Sequence, residues 1–436
     1  MMENLNFVIV FLSVLVFGLY GWKKGREEMF VALSFLFPAY LIKVNLGISF
    51  SLLEILVYET AIFRIVELIG KKKFKDDDFL KTYKEKWMIL VYFFFLTGIL
   101  GLVISILKYG FDWQYINFSK SFVLMPFLYV MSLFSFKPIS QEFLKKLMDS
   151  MLISGIVIAI AVLLQKFIWN AEIVSLYKIS IYLTPITIYC LLIIERNEEK
   201  SSLLQRFWSN ISKFIRISFM HKRIYFYWLT LSVLVSALFF MCIYTNWMAI
   251  FLGFFFYIIF KDGKLNLEKI IAIFAGIVLF MGIFSTQFQN VNPKMGLKNN
   301  LFLPIRMEVW QNSVNMIKDN FLLGAGFDNW NLFYEKYLNN KQAYYYPLLS
   351  THNYFSTFIE VLLNFGLFGL IFLIGIVFVS FKKVFSSINQ AKLQLVLGSM
   401  LLSVVFIFFF YSGYFQEDLV LQFWLIVGGI LGVRNE

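Results

Sequence analysis

With 436 residues, of which 60% are hydrophobic, 20% aromatic and only 15% charged, and with a mean hydropathy of +0.73, the chain is too apolar for a soluble globular domain. The formal charge of +12 does not point to nucleic acid, because the basic residues gather in alternate connections between apolar runs, the positive-inside pattern of a multi-pass membrane protein. The two cysteines, Cys190 and Cys242, have neither metal-ligand nor redox spacing and are expected to be inert core residues.

Apolar runs of about 16 to 25 residues recur along the whole chain, the length that a bilayer core demands of a spanning helix. They lie near 5–20, 28–43, 47–69, 87–107, 119–136, 148–168, 179–194, 224–243, 247–260, 270–286, 354–380, 394–412 and 419–433, with 28–43 and 47–69 open to a partly re-entrant reading. The expected fold is an all-α polytopic membrane bundle of about 12–13 transmembrane helices, one integral membrane domain over residues 1–436. The first run has its positive charges after it and no small-residue cleavage pattern, so it is expected to be a retained span. Basic clusters at Lys71–Lys73 with Lys75, at Lys145 and Lys146, from Arg196 to Arg223, and at Lys382 and Lys383 mark the cytoplasmic connections. That register puts residues 287–353, the one long polar stretch, on the extracytoplasmic side as a single large loop.

Ionisable residues inside the third run, Glu54, Glu59, Arg64 and Glu67, are costly in a bilayer and count as functional hypotheses. Arg64 and Glu67, three residues apart, are expected to neutralise each other on one helix face. Glu54 and Glu59 are left between internal packing bonds and a role in a cavity. Residues 203–219 place Leu204, Trp208, Ile211 and Ile215 on one stripe with Arg206, Lys213 and Arg216 away from it, an interfacial helix on the cytoplasmic leaflet that membrane lipids would hold. Phosphate loops, metal-ligand clusters and a serine nucleophile elbow are absent from the sequence.

Chemistry must therefore come from segment 287–353 and the span ends around it. Pro304 favours helix initiation, and the helix it opens should end at Gly324 and Gly326. On it Arg306, Trp310, Ser313 and Ile317 share a face; a guanidinium there suits a phosphate better than an ammonium, whereas the plainer alternative is an amphipathic helix with Trp310 in the headgroup belt. His352 stands where the polar loop becomes an apolar span, able to take a proton from a sugar hydroxyl or to meet a phosphate oxygen, or else simply structural. Asn353 beside it orients a hydroxyl or caps the next helix. Tyr344, Tyr345, Tyr346, Trp330 and Phe327 are candidates for sugar stacking, with an aromatic belt as the rival explanation.

An Arg-x-x-x-Trp pair (Arg306, Trp310), a Leu-Leu-Gly-x-Gly-Phe stretch at 322–327, the His352-Asn353 pair opening a span, and Gly366 with Gly369 follow one another in this order. Over roughly residues 224–380 the chain thereby resembles the bacterial O-antigen ligase and O-antigen or capsule polymerase superfamily. The resemblance implies a GT-C-like membrane fold in the bacterial cytoplasmic membrane and glycan transfer at its outer face. It implies an undecaprenyl-pyrophosphate-linked oligosaccharide as donor and another as acceptor, an inverting displacement, no metal or other cofactor, and a chain-length regulator and a flippase as possible partners. By the same resemblance Arg306 binds the pyrophosphate and His352 positions or deprotonates the acceptor hydroxyl. Many members carry a Ser-Arg pair where this chain reads Tyr244-Thr245-Asn246-Trp247, so a second phosphate-binding arginine is missing there. Asn246 occupies that place, and Lys178, Lys294 or Lys298 are the substitutes by position. A ligase differs from a polymerase only in its acceptor, lipid A core or protein, and a flippase or secondary transporter is the reading from another class. Transport ranks lower because the chain lacks related halves and concentrates its polar residues in one loop.

Overall fold

The computed structural model describes residues 2–45, 48–70, 85–135, 139–165, 176–197, 222–241, 244–261, 310–311, 313–327, 356–387, 392–411 and 413–433. These form thirteen α-helices: α1 (Met2–Lys24), α2 (Arg26–Phe35), α3 (Leu52–Gly70), α4 (Lys86–Tyr109), α5 (Trp113–Ser119), α6 (Met125–Phe134), α7 (Gln141–Leu164), α8 (Leu176–Asn197), α9 (Lys222–Met241), α10 (Tyr244–Phe260), α11 (Thr357–Ser387), α12 (Lys392–Phe410) and α13 (Glu417–Gly432). Among the described residues, six stretches are long and apolar enough to cross a membrane: Asn6–Lys24, Trp87–Tyr109, Trp113–Phe134, Gln141–Leu164, Thr357–Ser387 and Lys392–Phe410. The protein is thus an all-α multi-pass membrane protein, as its hydropathy requires.

The run 28–43 departs from a simple span. It divides into α2, a 3-10 turn (Phe37–Leu41) and a strand β1 (Lys43–Asn45), which pairs antiparallel with β2 (Ser49–Ser51). Pro38 enters the 3-10 turn, and ten helical residues in α2 rise only about 15 Å, half a bilayer core. Residues 47–69 therefore begin as the second strand of a hairpin before continuing as α3.

Large apolar side chains face outward along α1 (Phe7, Phe11, Leu15, Leu19), α4 (Leu96, Leu100, Val103, Leu107) and α11 (Phe368, Ile371, Ile374, Phe378), as expected of surfaces that lipid covers. The interior is organised around α13, all of whose residues from Glu417 to Gly432 are buried. Its glycines admit neighbours that a side chain would exclude: Cβ atoms there would meet Leu133 at Gly428, Leu144 at Gly429 and Ile139 at Gly432. Trp424 closes the centre against Phe95 (ring centroids 5.2 Å apart) and Phe94 (6.1 Å). Helices α4 and α11 pack side by side, with Phe93 stacked on Phe372 at 5.4 Å.

Among the intramembrane charges, Arg64 does pair with Glu67 (3.2 Å), and Arg26 joins the same carboxylate at 3.1 Å. Glu54 makes internal bonds, described below. Cys190 is buried with its Sγ on the Tyr227 carbonyl at 3.3 Å. The interfacial helix read at 203–219, the span at 270–286 and Cys242 lie outside the described residues.

Candidate functional site

The described part of segment 287–353 runs from Trp310 to Phe327, without residue 312. Residues 313–319 are helical, and the chain turns after Asn320, where the Gly324 N–H donates to the Asn320 carbonyl at 2.9 Å. Ser313 and Met316 point inward whereas Val314, Lys318 and Asp319 are exposed, so the inward side is the one expected to carry Trp310, Ser313 and Ile317. The indole Nε1 of Trp310 is buried and has no hydrogen-bond partner. Lys108, in the last turn of α4, holds the far end of this helix by donating to Asn320 Oδ1 at 3.0 Å.

Beyond the helix, the chain enters the bundle. Gly324 (φ +80°) and Gly326 (φ +90°) adopt left-handed backbone that other residues resist, which lets the turn that follows the helix, after Asn320, fold back into the bundle. Helix α11 is itself interrupted at Gly366 (φ +71°), and an interruption inside a membrane frees backbone groups that must find protein partners. They find them in the turn: Ala325 N–H donates to the Leu363 carbonyl (2.6 Å), and Leu367 N–H donates to the Phe321 carbonyl (2.9 Å). The approach leaves no room for side chains. A Cβ on Gly324 would lie 2.7 Å from the Leu363 oxygen, and one on Gly366 would lie 2.7 Å from the Gly324 nitrogen. The glycine turn at 322–327 and Gly366, separate in sequence, are thus two halves of one backbone junction.

Phe327 ends the turn as a core residue, not as a sugar platform. It is fully buried, lies 4.9 Å from Phe118 and 5.5 Å from Phe365, and its N–H donates to Ser105 Oγ at 2.5 Å. Neither of its two readings, sugar stacking or an aromatic belt, fits that burial: the ring packs among apolar neighbours in the core.

Downstream of segment 287–353, the start of α11 is held by the end of α12 and the turn after it. Thr357 donates from its N–H (2.9 Å) and its Oγ1 (2.7 Å) to the Tyr411 carbonyl and accepts from Tyr414 N–H at 3.2 Å, while Ser356 Oγ donates to the Phe408 carbonyl at 3.0 Å. The Tyr411 hydroxyl bonds Thr245 Oγ1 at 3.0 Å, which brings the first turn of α10 to the same corner. Next to it Asn246 is buried, 1% exposed, and neither its Nδ2 nor its Oδ1 has a partner. Lys178 lies in the first turn of α8. Arg306, Lys294, Lys298, Trp330, Tyr344, Tyr345, Tyr346, His352 and Asn353 lie outside the described residues.

Sequence reasoning missed a buried ionic network. Lys120, in a π-helical turn (Lys120–Leu124) between α5 and α6, donates to Glu54 Oε2 at 2.7 Å and to the Ser49 carbonyl, and its Nζ lies 4.1 Å from the centre of the Phe50 ring. Glu54 also accepts from Ser121, and Ser51 donates to Glu417, whose other oxygen is 3.7 Å from Lys43. Ser51 and Glu54 form a capping box at the start of α3, with Ser51 N–H to Glu54 Oε2 at 3.0 Å and Glu54 N–H to Ser51 Oγ at 3.1 Å. The Ser-Leu-Leu-Glu sequence at 51–54 is the signal that could have found that cap.

A family model described as O-antigen ligase matches residues 214–374, a stretch that holds Asn246, Trp310, the 322–327 turn, His352 and Gly366 together. No curated protein matches the chain. An O-antigen ligase or polymerase type of function, glycosyltransferase-like and acting on lipid-linked oligosaccharide in the membrane, is what that match carries. Across residues 214–374 of a multi-pass membrane protein, the sequence pattern of the O-antigen ligase and polymerase superfamily is the one this chain bears.

Proposed function

We propose that the chain is a polysaccharide polymerase at the outer face of the bacterial cytoplasmic membrane, joining lipid-linked oligosaccharide repeats. The observation that supports it is the docking of turn 322–327, within segment 287–353, on the first third of α11, whose opening residue Thr357 is itself bonded to Tyr411. The turn 322–327 grips Gly366 and the His352 end leads into Thr357, nine residues away or about 14 Å of helical rise. A segment docked on the helix that follows it is suited to bring Arg306, before the docked turn, and His352, after it, to a common substrate, because a fixed frame lowers the entropy of orienting them.

In this reading Arg306 forks onto the pyrophosphate of an undecaprenyl-linked donor. The acceptor hydroxyl oxygen forms the new bond to the anomeric carbon from the side opposite the leaving group, the bond from that carbon to the pyrophosphate oxygen breaks, and the electron pair leaves with the pyrophosphate. His352 receives the acceptor's proton, and the configuration inverts. Trp310, Tyr346 and Asn353 line the glycan, with Lys178 or Lys298 as the second cation.

Ligation to lipid A core or to protein is the second reading, favoured by the description of the matching family. Transport is not favoured by the broken α11, since the backbone groups freed at Gly366 are bonded by the chain's own turn instead of facing a cavity. Purified protein supplied with lipid-linked repeats should build a ladder of longer glycans. Transfer only to a different acceptor would establish the ligase, and movement of unreacted lipid across the bilayer would establish a flippase.

A further inference from the structure

Asn246 is, among the described residues, the one amide side chain whose nitrogen and oxygen are both buried and both without a partner. Gln394, Gln416 and Gln422 each leave only the oxygen in that state. A buried amide unpaired on both atoms is a standing cost that an apolar residue of equal size would not carry, and such groups in folded proteins call for a ligand or another specific partner. Asn246 sits in the first turn of α10, beside the Thr245–Tyr411 bond that joins this turn to Thr357. In the sequence His352 stands five positions before Thr357.

We infer that Asn246 binds a neutral polar group of the glycan, a hydroxyl or an acetamido group on the sugar next to the pyrophosphate, and thereby selects for that sugar. This rests on the glycosyl-transfer reading above. The chemistry of the amide decides against the pyrophosphate. Phosphate oxygens only accept hydrogen bonds, so a pyrophosphate would engage Nδ2 and set its negative charge against Oδ1. A hydroxyl or a secondary amide both donates and accepts, and satisfies both atoms at once. Thr245 and its partner Tyr411 are likewise uncharged and already bonded to each other.

The test compares wild type with Asn246→Leu, which keeps the volume and removes both polar atoms, and with Asn246→Ala in case leucine does not fit. Binding of three lipids to protein in nanodiscs is measured: undecaprenyl pyrophosphate without sugar, and the same lipid carrying glucose or N-acetylglucosamine. Without lipid the Leu variant should unfold at or above the wild-type temperature. Its affinity for the sugar-free lipid should stay within about twofold, while affinity for a sugar-bearing lipid falls about tenfold or more. A loss confined to the N-acetylglucosamine lipid identifies the acetamido group, and a loss on both sugar lipids identifies a hydroxyl. An equal loss on sugar-free and sugar-bearing lipids overturns the inference, as does failure of both variants to fold. A wild type that extends lipid-linked glycans, with an Asn246→Leu variant indistinguishable from it, overturns this inference alone. A wild type that neither binds nor extends them overturns the glycosyl-transfer reading and this inference together.

Discussion

Gly324 and Gly366 meet backbone to backbone, so closely that a Cβ on Gly324 would stand 2.8 Å from the nitrogen of Gly366. Each has a positive φ: one lies in the turn that follows the helix of the polar segment, the other breaks α11. Together they make the segment part of the bundle rather than an appendage to it.

The junction makes a direct prediction. Gly366→Ala and Gly324→Ala should each lose glycan product and lower the unfolding temperature, since left-handed backbone strain alone costs on the order of 1–3 kcal/mol and the overlap with backbone atoms adds to it. Gly375→Ala, on the same helix, should leave both measurements unchanged, because its Cβ would meet only Leu90 at an ordinary 3.4 Å. Thermal unfolding in detergent and a gel of the glycan product check the pair against the control.

The Lys120–Glu54 pair is buried on both sides, at 8% and 1% exposure, and breaking it from one side leaves a charge without its counterion. Lys120→Met or Glu54→Gln should each destabilise the protein by about 3–5 kcal/mol. The double variant should recover much of that loss, because it removes both charges. Equilibrium or thermal unfolding of the two single variants and the double closes the cycle, and strictly additive losses would mean that the two residues do not act as a pair.

The outer placement of segment 287–353 is testable in whole cells. In a protein whose native Cys190 and Cys242 have been replaced, a cysteine at Lys298 should react with a membrane-impermeant maleimide added outside, and one at Lys73 should react only after the membrane is opened. The reverse pattern would invert the topology on which the extracytoplasmic reaction rests.

Much of this architecture is legible in the sequence because its causes are local. Long apolar runs become long helices, Arg64 finds Glu67 a turn away, and Gly324 and Gly326 take the left-handed backbone that glycine permits. What escapes a linear reading depends on residues far apart. Lys120 sits at the start of an apolar run with nothing nearby in sequence to neutralise it, and its partner Glu54 is 66 positions away on another helix. Phe327 resembles an exposed aromatic of a polar loop until the Gly324 turn carries it between Phe118 and Phe365. Residues 28–43 have the apolarity of a span, yet the hairpin register from Lys43–Ser51 to Asn45–Ser49 keeps them from being one helix. Gly366 and Gly369 form part of the sequence resemblance; that Gly366 is the receptor for the 322–327 turn follows only from the packing.

The central claim is that Arg306 and His352 work together on a lipid-borne pyrophosphate. Its most direct measurement is product formation by reconstituted wild type, Arg306→Ala and His352→Ala, each supplied with lipid-linked repeat units and each checked for insertion and unfolding temperature. The wild type should give a ladder and each variant at least about 100-fold less product with its fold intact, the scale of losing a charge-stabilising or proton-transferring group. Wild-type ladders from both variants would contradict the assignment.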